Sequence, residues 1–416
     1  MFERNYFSLR PGRGTTFRAQ LEDCLDQLEA PATKDDPAPG RGSGLRGSRK
    51  NGAGRILKLT LFVDSSRPAD FAQKKRSASR ILKDRFGPAL PPFSVIAQAP
   101  EKGLRVAVDA ETLPPATRSV RVRYARIDGL PYCVVAEGRN REVIVAGLTA
   151  GSAGRTIEAR SDAAFALARR ILERERLQIG DIVRQWNFIE DLLRVRTVGK
   201  TARQNYQDFN DARQRFYGRA SFPSGYPAAT GIGAAAGGVV VEFLAAARGR
   251  GLSIVPLSNP LQKDAHRYSQ NVLIGGSNPT AGAKAAPLFE RGKFVGRGAN
   301  GVLYVSGTAA VRRQATAAAG DAAAQTRITI ANIRRLVSAE NLARQGIDLR
   351  GRRLRLASYR AYVKRRRDLP AVQSICRRAF GPVPSQFVRA DVCREELLVE
   401  IEGVFVLRPG TSLGRR

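Results

Sequence analysis

The stretch YPAATGIGAAAGGVVVEFLA, residues 226–245, carries glycines of the kind that cradle phosphate groups, at positions 231, 233, 237 and 238. A dinucleotide-binding loop needs a strand before the glycines and a helix after them, because the helix N-terminus faces the pyrophosphate. Here the run GGVVVEFLAA, which follows the first glycines, predicts a strand, and the lysine and hydroxyl of a P-loop are missing. The pattern favours a close-packed turn that leads into a buried strand.

Thiol and imidazole groups offer little metal chemistry. Cys24, Cys133, Cys376 and Cys393 are far apart, and His266 is the single histidine. Zinc sites and disulfide frameworks show closely spaced ligands, which this chain does not have. We expect free thiols and no metal.

Positive charge dominates the composition. The 416 residues include 70 Lys and Arg against 37 Asp and Glu, a formal net charge of +33. This would suit a nucleic-acid-binding protein, but the arginines are scattered and no helix-turn-helix, zinc-finger or RNP signature is present. We favour a general arginine-rich composition and keep polyanion binding as an alternative. A small anion would also profit, since arginine holds carboxylates bidentately.

Hydropathy and the N-terminus indicate location. No apolar run approaches the roughly 20 residues that span a bilayer. The start, MFERNYFSLRPGRG, lacks the apolar region of a signal peptide. We therefore expect a cytoplasmic protein without a membrane partner, with two or three domains.

The elements that would position a site follow a repeated order. Residues 56–66 predict a strand, 69–87 a helix, and two more strands follow. At the C-terminus, 354–364 predict a strand and 368–381 a helix, again with two strands after it. Both helices end in Phe-Gly-Pro. One β-α-β-β unit is therefore used twice.

The middle of the chain predicts a looser third copy. Residues 162–194 show a long helical pattern, 206–218 a second helix, and VVVEFLA takes the place of LLVEIEG. Residues 302–336 predict a strand and an amphipathic helix that open the last unit. We predict an α+β fold of three units with pseudo-three-fold symmetry and ligand clefts between neighbouring units.

The predicted division follows from this pattern. A Pro-, Gly- and Ser-rich stretch at 31–54 predicts a flexible linker. The division is an N-terminal segment with linker (1–54), an N-terminal unit (55–150), a central unit (151–285) and a C-terminal unit (286–416).

Particular words in the sequence carry a family resemblance. A strand with SG, a helix with Gln and Asn-Ile, and a last strand VEIE resemble the small RidA/YjgF family, whose members are trimers. Three such units in one chain, together with these words, resemble the chorismatase family. The words are RQWNFIED (184–191), QNYQDFNDARQRFY (204–217), YPAATGIG (226–233), PLSNPLQ (256–262), VSGTAA (305–310) and DVCREELLVEIEG (391–403).

The resemblance implies a reaction. Chorismatases take chorismate, a dianion with an enolpyruvyl ether, and release pyruvate. The second product is a hydroxybenzoate, here expected to be 3-hydroxybenzoate, or a dihydroxycyclohexadiene carboxylate. No metal or organic cofactor is implied, and no specific nucleic acid. One chain supplies all three units, which favours a monomer.

Such a site, which the resemblance implies lies between the central and C-terminal units, needs a buried neutral acid to protonate the ether and arginines to hold the carboxylates. By resemblance, Arg291 is the carboxylate clamp. The other positions carried over are Tyr226, Gln262 and Tyr268 in one wall of the cleft and Ser306, Gly307 and Thr308 in the other. Structural roles stay open for them: a solvated arginine, half-buried core tyrosines and tight strand packing.

The chain departs from the family where acids are usual, because Ala315 and Ile328 stand there. RidA-like proteins place a glutamate of the last strand near their site, and strand alternation puts Glu400 and Glu402 on one face. We name Glu402 as the candidate proton donor, with a solvated strand face as the alternative. His266, where the family has a tyrosine, is the second candidate, with a structural role as the alternative.

These observations predict a chorismatase-like enzyme. The missing acids keep open a catalytically impaired homologue that binds an anionic ligand, and the charge keeps open a polyanion-binding protein.

Overall fold

The structure, a computed structural model, describes residues 2–30, 54–114, 119–150, 154–198, 201–247, 249, 251–273 and 283–410. Three large sheets dominate these residues, one with four strands and two with six. Each sheet carries α-helices, and we name the N-terminal, central and C-terminal units by these sheets.

The N-terminal unit has the sheet order β1-β4-β2-β3. Strand β3 runs parallel to β2, and β4 returns antiparallel to it. Its elements are β1 (Asn5–Leu9), α1 (Phe17–Glu29), β2 (Arg55–Val63), α2 (Pro68–Phe86), β3 (Phe93–Ile96) and β4 (Val106–Leu113).

The central unit repeats this pairing, since β11 is parallel and β12 antiparallel to β8. Its sheet order is β11-β8-β12-β7-β6-β5, and β9 and β10 form a separate hairpin. Its elements are β5 (Arg121–Ile127), β6 (Leu130–Glu137), β7 (Asn140–Leu148), α3 (Ile157–Arg174), β8 (Ile182–Glu190), β9 (Val195–Val198), β10 (Thr201–Gln204), α4 (Asn205–Tyr217), β11 (Ala228–Ala234) and β12 (Val239–Ala246).

The C-terminal unit shows the pairing again, with β19 parallel and β20 antiparallel to β18. Its sheet order is β13-β14-β15-β20-β18-β19. Its elements are β13 (Leu252–Leu257), β14 (Gly292–Arg297), β15 (Asn300–Ala309), β16 (Val311–Arg312), β17 (Ala315–Thr316), α5 (Ala322–Leu336), α6 (Ala339–Arg344), β18 (Arg352–Val363), α7 (Leu369–Phe380), β19 (Ser385–Arg389) and β20 (Val399–Pro409).

Local sequence explains where the helices begin and end. The first long helix of each unit starts after a capping side chain, Thr16, Thr156 or Asp321, whose oxygen accepts a hydrogen bond from the backbone three residues on. Helices α2 and α7 end at Gly87 and Gly381, whose positive φ angles of 51° and 73° are easy for glycine only.

The three units share two inner cores. One contains Phe62, Trp186 and Tyr362, which come from the N-terminal, central and C-terminal sheets. The other joins Leu57, Cys133 and Tyr304 in the same way. The sheets therefore face one another, while the helices pack on their far sides in three separate cores. The predicted α+β class is confirmed, and the pseudo-three-fold symmetry stays a prediction.

One predicted element is wrong. The helical pattern at 162–194 is a helix only to Arg174, and RQWNFIE lies in strand β8. Eight of the nine β8 residues are buried, since other strands and sheets cover both faces. A strand buried on both faces loses the alternation that identifies it.

Sheet pairing assigns strands differently from the predicted division. β1 and α1 belong to the first unit, although 1–54 was predicted as a separate segment. Strands β5 to β7 join the central sheet, and β13 joins the C-terminal sheet. Both six-stranded units begin with β-strands that precede their first helix, which the helix-based boundaries at 150 and 285 missed. The predicted linker at 31–54 lies outside the described residues except for Gly54.

Within the described residues, no helix combines the length and the apolar character needed to cross a membrane.

Candidate functional site

A cavity lies between the central and C-terminal units. Helix α4 and strand β11 form one side, and β15 and β20 form the other. The described residues that line it all fall between Gln204 and Glu400. Its polar and charged lining comprises Gln204, Tyr206, Gln207, Asn210, Gln262, Tyr268, Arg291, Cys393, Arg394 and Glu400.

Glu400 is the carboxyl group of this cavity. Strand β20 presents it there, and its side chain is buried. Burial, together with the nearby charge of Glu402, raises the pKa of Glu400 from 4.5 to about 8, against the attraction of Arg184 and Arg291. Glu400 therefore carries its proton at neutral pH, as a general acid requires.

Glu402, the predicted proton donor, points into a different environment. It accepts hydrogen bonds from Arg184 Nη2 (2.7 Å) and Trp186 Nε1 (2.9 Å), and from Thr230 Oγ1. Burial alone would raise the pKa of Glu402, but Arg184, Arg360 and these hydrogen bonds lower it. An ionised carboxylate with these partners has no proton to donate, so this geometry favours the neighbouring Glu400 over Glu402, whose role as proton donor stays a prediction.

Arg291 lies in the cavity wall as predicted. It is 4% exposed, and Nη2 donates to the carbonyl oxygen of Lys263 and to Tyr268 Oη (2.7 Å). Nε has no hydrogen-bond partner, and no ion pair joins Arg291 to a carboxylate of the described residues. A buried cation without a paired anion is costly, which makes Arg291 a ready partner for a ligand carboxylate.

A second buried arginine, Arg213, was missed by sequence reasoning. It is 1% exposed on α4, stacks over Phe209, and Nη2 donates to Asn210 Oδ1 (2.7 Å). Nε has no hydrogen-bond partner. Asp208 and Asp211, on the same helix, pair with Arg203 instead. Since Asn210 lines the cavity, Arg213 adds positive charge directly behind its wall.

Two glycines of the predicted motifs allow close packing at the cavity. A Cβ atom on Gly307 would lie 2.0 Å from Glu400 Oε1, and one on Gly231 would lie 3.1 Å from the ring of Tyr206. Gly237 and Gly238 form the turn between β11 and β12, with φ angles of 105° and 71°. The glycine-rich stretch thus joins two strands, as predicted.

Of the other residues predicted for the cleft walls, some line the cavity and some do not. Tyr268 and Gln262 line the cavity. The Gln262 side chain also accepts a hydrogen bond from Asn259 Nδ2 (3.1 Å) and donates one to the Val311 carbonyl oxygen (3.2 Å). Ser306 is fully buried, accepts from the Ala229 amide and donates to the Glu290 carbonyl oxygen. Thr308 Oγ1 donates to the Ser306 carbonyl oxygen. Ser306 joins the two units, Thr308 bonds within strand β15, and neither lines the cavity.

Tyr226 and His266 form an aromatic cluster beside the cavity. Their ring centroids are 5.6 Å apart, and Tyr226 also stacks on Tyr217 at 5.9 Å. Neither is among the residues that line the cavity. This geometry favours the structural alternative for His266, and its role as a proton donor stays a prediction.

The positions of the missing acids also lie elsewhere. Ala315 is exposed in β17, and Ile328 is half-buried on α5. Neither lines the cavity, so an acid at either position is not needed to supply its proton.

A cysteine also lines the cavity. Cys393 faces the cavity, and burial raises the pKa of its thiol to about 12. The thiol is therefore neutral, and the cavity presents two proton-bearing groups, Glu400 and Cys393, together with the cation of Arg291.

The fold is shared with a solved structure. A crystal structure of a chorismatase superposes with a TM-score of 0.62 over 97% of this chain and 98% of that chain, at 22% identity. At this identity the match establishes a shared fold.

Sequence comparisons show similar relatives. Residues 133–245 match the family model "Chorismatase FkbO/Hyg5-like, N-terminal". A 3-hydroxybenzoate synthase of Streptomyces hygroscopicus is 37% identical over 237 residues, and a chorismatase of the same organism is 33% identical over 226 residues. These matches cover 55% and 54% of this chain, and 65% and 61% of the relatives. The predicted resemblance to the chorismatase family is confirmed.

Proposed function

We propose that the protein is a chorismatase that converts chorismate to 3-hydroxybenzoate and pyruvate. The observation that carries the proposal is a buried, protonated Glu400 in a cavity whose lining also holds Arg291 without a paired carboxylate. An acid and an anion-binding group in one cavity match a dianionic enol ether that must be protonated. The 37% identical 3-hydroxybenzoate synthase supports the choice of product.

Glu400 begins the reaction as the general acid. Its proton adds to the terminal methylene carbon of the enolpyruvyl group, and the π electrons form the new C–H bond. Positive charge then develops on the adjacent carbon and the ether oxygen, and Glu400 becomes a carboxylate. This anion lies beside the developing cation and lowers its energy.

In the first route the ether bond to the ring breaks, and its electron pair completes the carbonyl group of the departing pyruvate. The ring is left with the positive charge and becomes aromatic as it returns one proton to the Glu400 carboxylate. The hydroxybenzoate and pyruvate together contain the atoms of chorismate, so that route needs no net water. In the hydrolytic route, water adds to the cationic carbon, returns a proton to Glu400, and the dihydroxycyclohexadiene carboxylate is formed. Each route regenerates the protonated Glu400, and neither draws on a metal or an organic cofactor.

The arginines hold the substrate. Arg291 binds one carboxylate through its outward nitrogens, and its contact with Tyr268 fixes the guanidinium plane. Arg213 attracts the second carboxylate through Asn210, which it orients. We expect the protein to act as a cytoplasmic monomer, because one chain supplies both walls of the cavity.

The test is to incubate purified protein with chorismate, follow pyruvate with a coupled dehydrogenase, and separate the aromatic products by chromatography. Pyruvate with 3-hydroxybenzoate supports the proposal, and pyruvate with a dihydrodiol corrects the product. Chorismate binding without pyruvate would mean a catalytically impaired homologue. Absence of both binding and pyruvate overturns the proposal.

Gly307→Ala should slow the reaction about 10- to 100-fold, because the new methyl group displaces the Glu400 carboxyl group and about an ångström of misplacement has such an effect. The new Cβ would also meet Thr230 Cγ2 at 3.2 Å. The measurement is the rate of pyruvate release.

Gly12→Ala is the matched control. Its Cβ would meet only Asp23 Oδ2, at 3.9 Å, so the rate should not change. Equal rates for Gly307→Ala and the unchanged protein would contradict the placement of Glu400 over Gly307.

A further inference from the structure

Buried charges form a chain where the three units meet. Asp109 Oδ2 of the N-terminal unit accepts from Arg360 Nε at 2.5 Å, and Arg360 Nη1 donates to Glu402 Oε1 at 3.3 Å. On its other side Glu402 pairs with Arg184 of the central unit at 2.7 Å. These side chains are at most 13% exposed. Asp109 thus reaches Glu402 through a single arginine.

Glu402 lies next to the proposed acid. Glu400 and Glu402 stand two residues apart on one face of β20, about 7 Å from each other by the rise of a strand. Thr230 connects Glu402 with the backbone next to Glu400. Its hydroxyl donates a hydrogen bond to Glu402 and accepts one from the backbone N–H of Gly307 at 3.1 Å. Gly307 lies under the carboxyl group of Glu400.

We propose that Glu402 is a positioning residue, which the N-terminal unit holds in place through Asp109 and Arg360 so that its fixed negative charge keeps the proton on Glu400. The inference rests on the proposed function of Glu400 as the acid. It gives the N-terminal unit, whose residues lie outside the cavity lining, a part in the reaction.

The charge balance explains why both carboxylates are needed. Arg184 and Arg360 carry two positive charges, and Asp109 and Glu402 carry two negative charges, so the formal sum is zero. Loss of either carboxylate leaves a net positive charge near Glu400. A buried cation favours the ionised form of a carboxyl group, so Glu400 would lose its proton at a lower pH.

Other groups also face Glu400 and stay unchanged in this comparison. Arg291, Cys393 and Tyr206 interact with Glu400 electrostatically. Arg394 and Tyr268 line the same cavity. Tyr362 is the cross-strand neighbour of Glu400 on β18.

The test is the pH dependence of kcat in Glu402→Gln and Asp109→Asn. The unchanged protein should lose activity as pH rises through about 8. In Glu402→Gln this decline should move about one to two pH units lower, since each unit is a tenfold change in the protonated fraction. Asp109→Asn should move it in the same direction by less. A uniform loss of kcat at every pH, with the decline unmoved, would show a merely structural role and overturn the inference.

Glu175→Gln is the matched control. Glu175 is buried in the central unit, outside this chain of charges, and accepts hydrogen bonds from Arg123 Nη2 (2.7 Å) and Tyr132 Oη (2.6 Å). Its replacement should lower stability and leave the decline in place. If Glu402→Gln does not fold, the pH dependence of Asp109→Asn tests the inference instead. Asp109 lies at the end of the chain of charges, one arginine away from Glu402.

A spectroscopic readout separates this inference from the proposed function. The carbonyl stretch of a protonated carboxyl group, assigned to Glu400 by its loss in Glu400→Gln, can be titrated by infrared spectroscopy without any substrate. A lower midpoint in Asp109→Asn and Glu402→Gln supports the coupling even if chorismate is not turned over. An unchanged midpoint overturns it even if the enzyme is active.

Discussion

Glu400→Gln lowers kcat for pyruvate release by about 10²- to 10⁴-fold, the range that a general acid contributes. Glutamine keeps the size and neutrality of the protonated glutamic acid but has no proton to transfer to the methylene carbon. The surroundings of Glu400 tolerate the exchange, because burial and nearby charges, rather than hydrogen bonds from described residues, govern the Glu400 carboxyl group. The measurement is single-turnover pyruvate release at saturating chorismate.

Binding and folding distinguish this loss from a damaged protein. Chorismate affinity, measured by calorimetry, should change little, because Arg291 and Arg213 remain. Glu396→Gln is the matched control, since Glu396 is an exposed carboxylate four residues before Glu400 that bonds to Thr316 Oγ1 at 2.9 Å. A Glu400→Gln variant with full activity would place the acid elsewhere and sink the proposed mechanism.

The sequence predicted the strand face that carries both glutamates, and the folded structure favours Glu400 over the predicted Glu402 as the acid. Alternation along VEIE puts Glu400 and Glu402 on one side, and the structure agrees. What separates them is long-range: Arg184, 218 positions from Glu402, bonds to that residue. Pairings across such distances leave no local pattern, so the two carboxylates look equivalent in the sequence.

The repeated unit was predictable because its signals are local. The strand, helix and two strands around 354–409 follow from apolar runs and from the glycine after α7, and all three sheets use the same pairing. Strand β8 escaped prediction because Arg184, Gln185 and Asn187 are polar yet buried. Their hydrogen bonds reach Glu402, Tyr217 and Thr230, which only the folded chain brings near.

The position of Arg213 near the cavity was not predicted, for a related reason. Helix α4 is buried at ten of its thirteen positions, including Asp208, Asn210 and Asp211, so a polar side chain there gives no sign of which face meets a ligand. The word QNYQDFNDARQRFY contains Arg213, but resemblance alone did not separate it from its neighbours. A count of buried cations without carboxylate partners identifies it once the structure is known.

Glu400 also makes stability depend on pH, in a direction opposite to that of paired carboxylates. Its pKa is about 8 in the folded protein against 4.5 without burial, so the folded state keeps a proton that the unfolded state releases. The stabilisation is complete below about pH 4.5 and is lost as pH rises through about 8. The full difference corresponds to at most about 5 kcal/mol, and we expect about 2–4 kcal/mol because the cavity lets water reach the ionised group.

Glu400→Gln should therefore be as stable as the unchanged protein near pH 5 and more stable at pH 9, as judged by urea unfolding at each pH. The difference in unfolding free energy between the two proteins at each pH removes the contribution of other groups that titrate in this range. One such group is Asp391, whose pKa is also raised by burial. Glu396→Gln should follow the unchanged protein at both pH values. If Glu400→Gln were equally stable or less stable at pH 9, Glu400 would be ionised in the folded protein at neutral pH, and it could not be the proton donor.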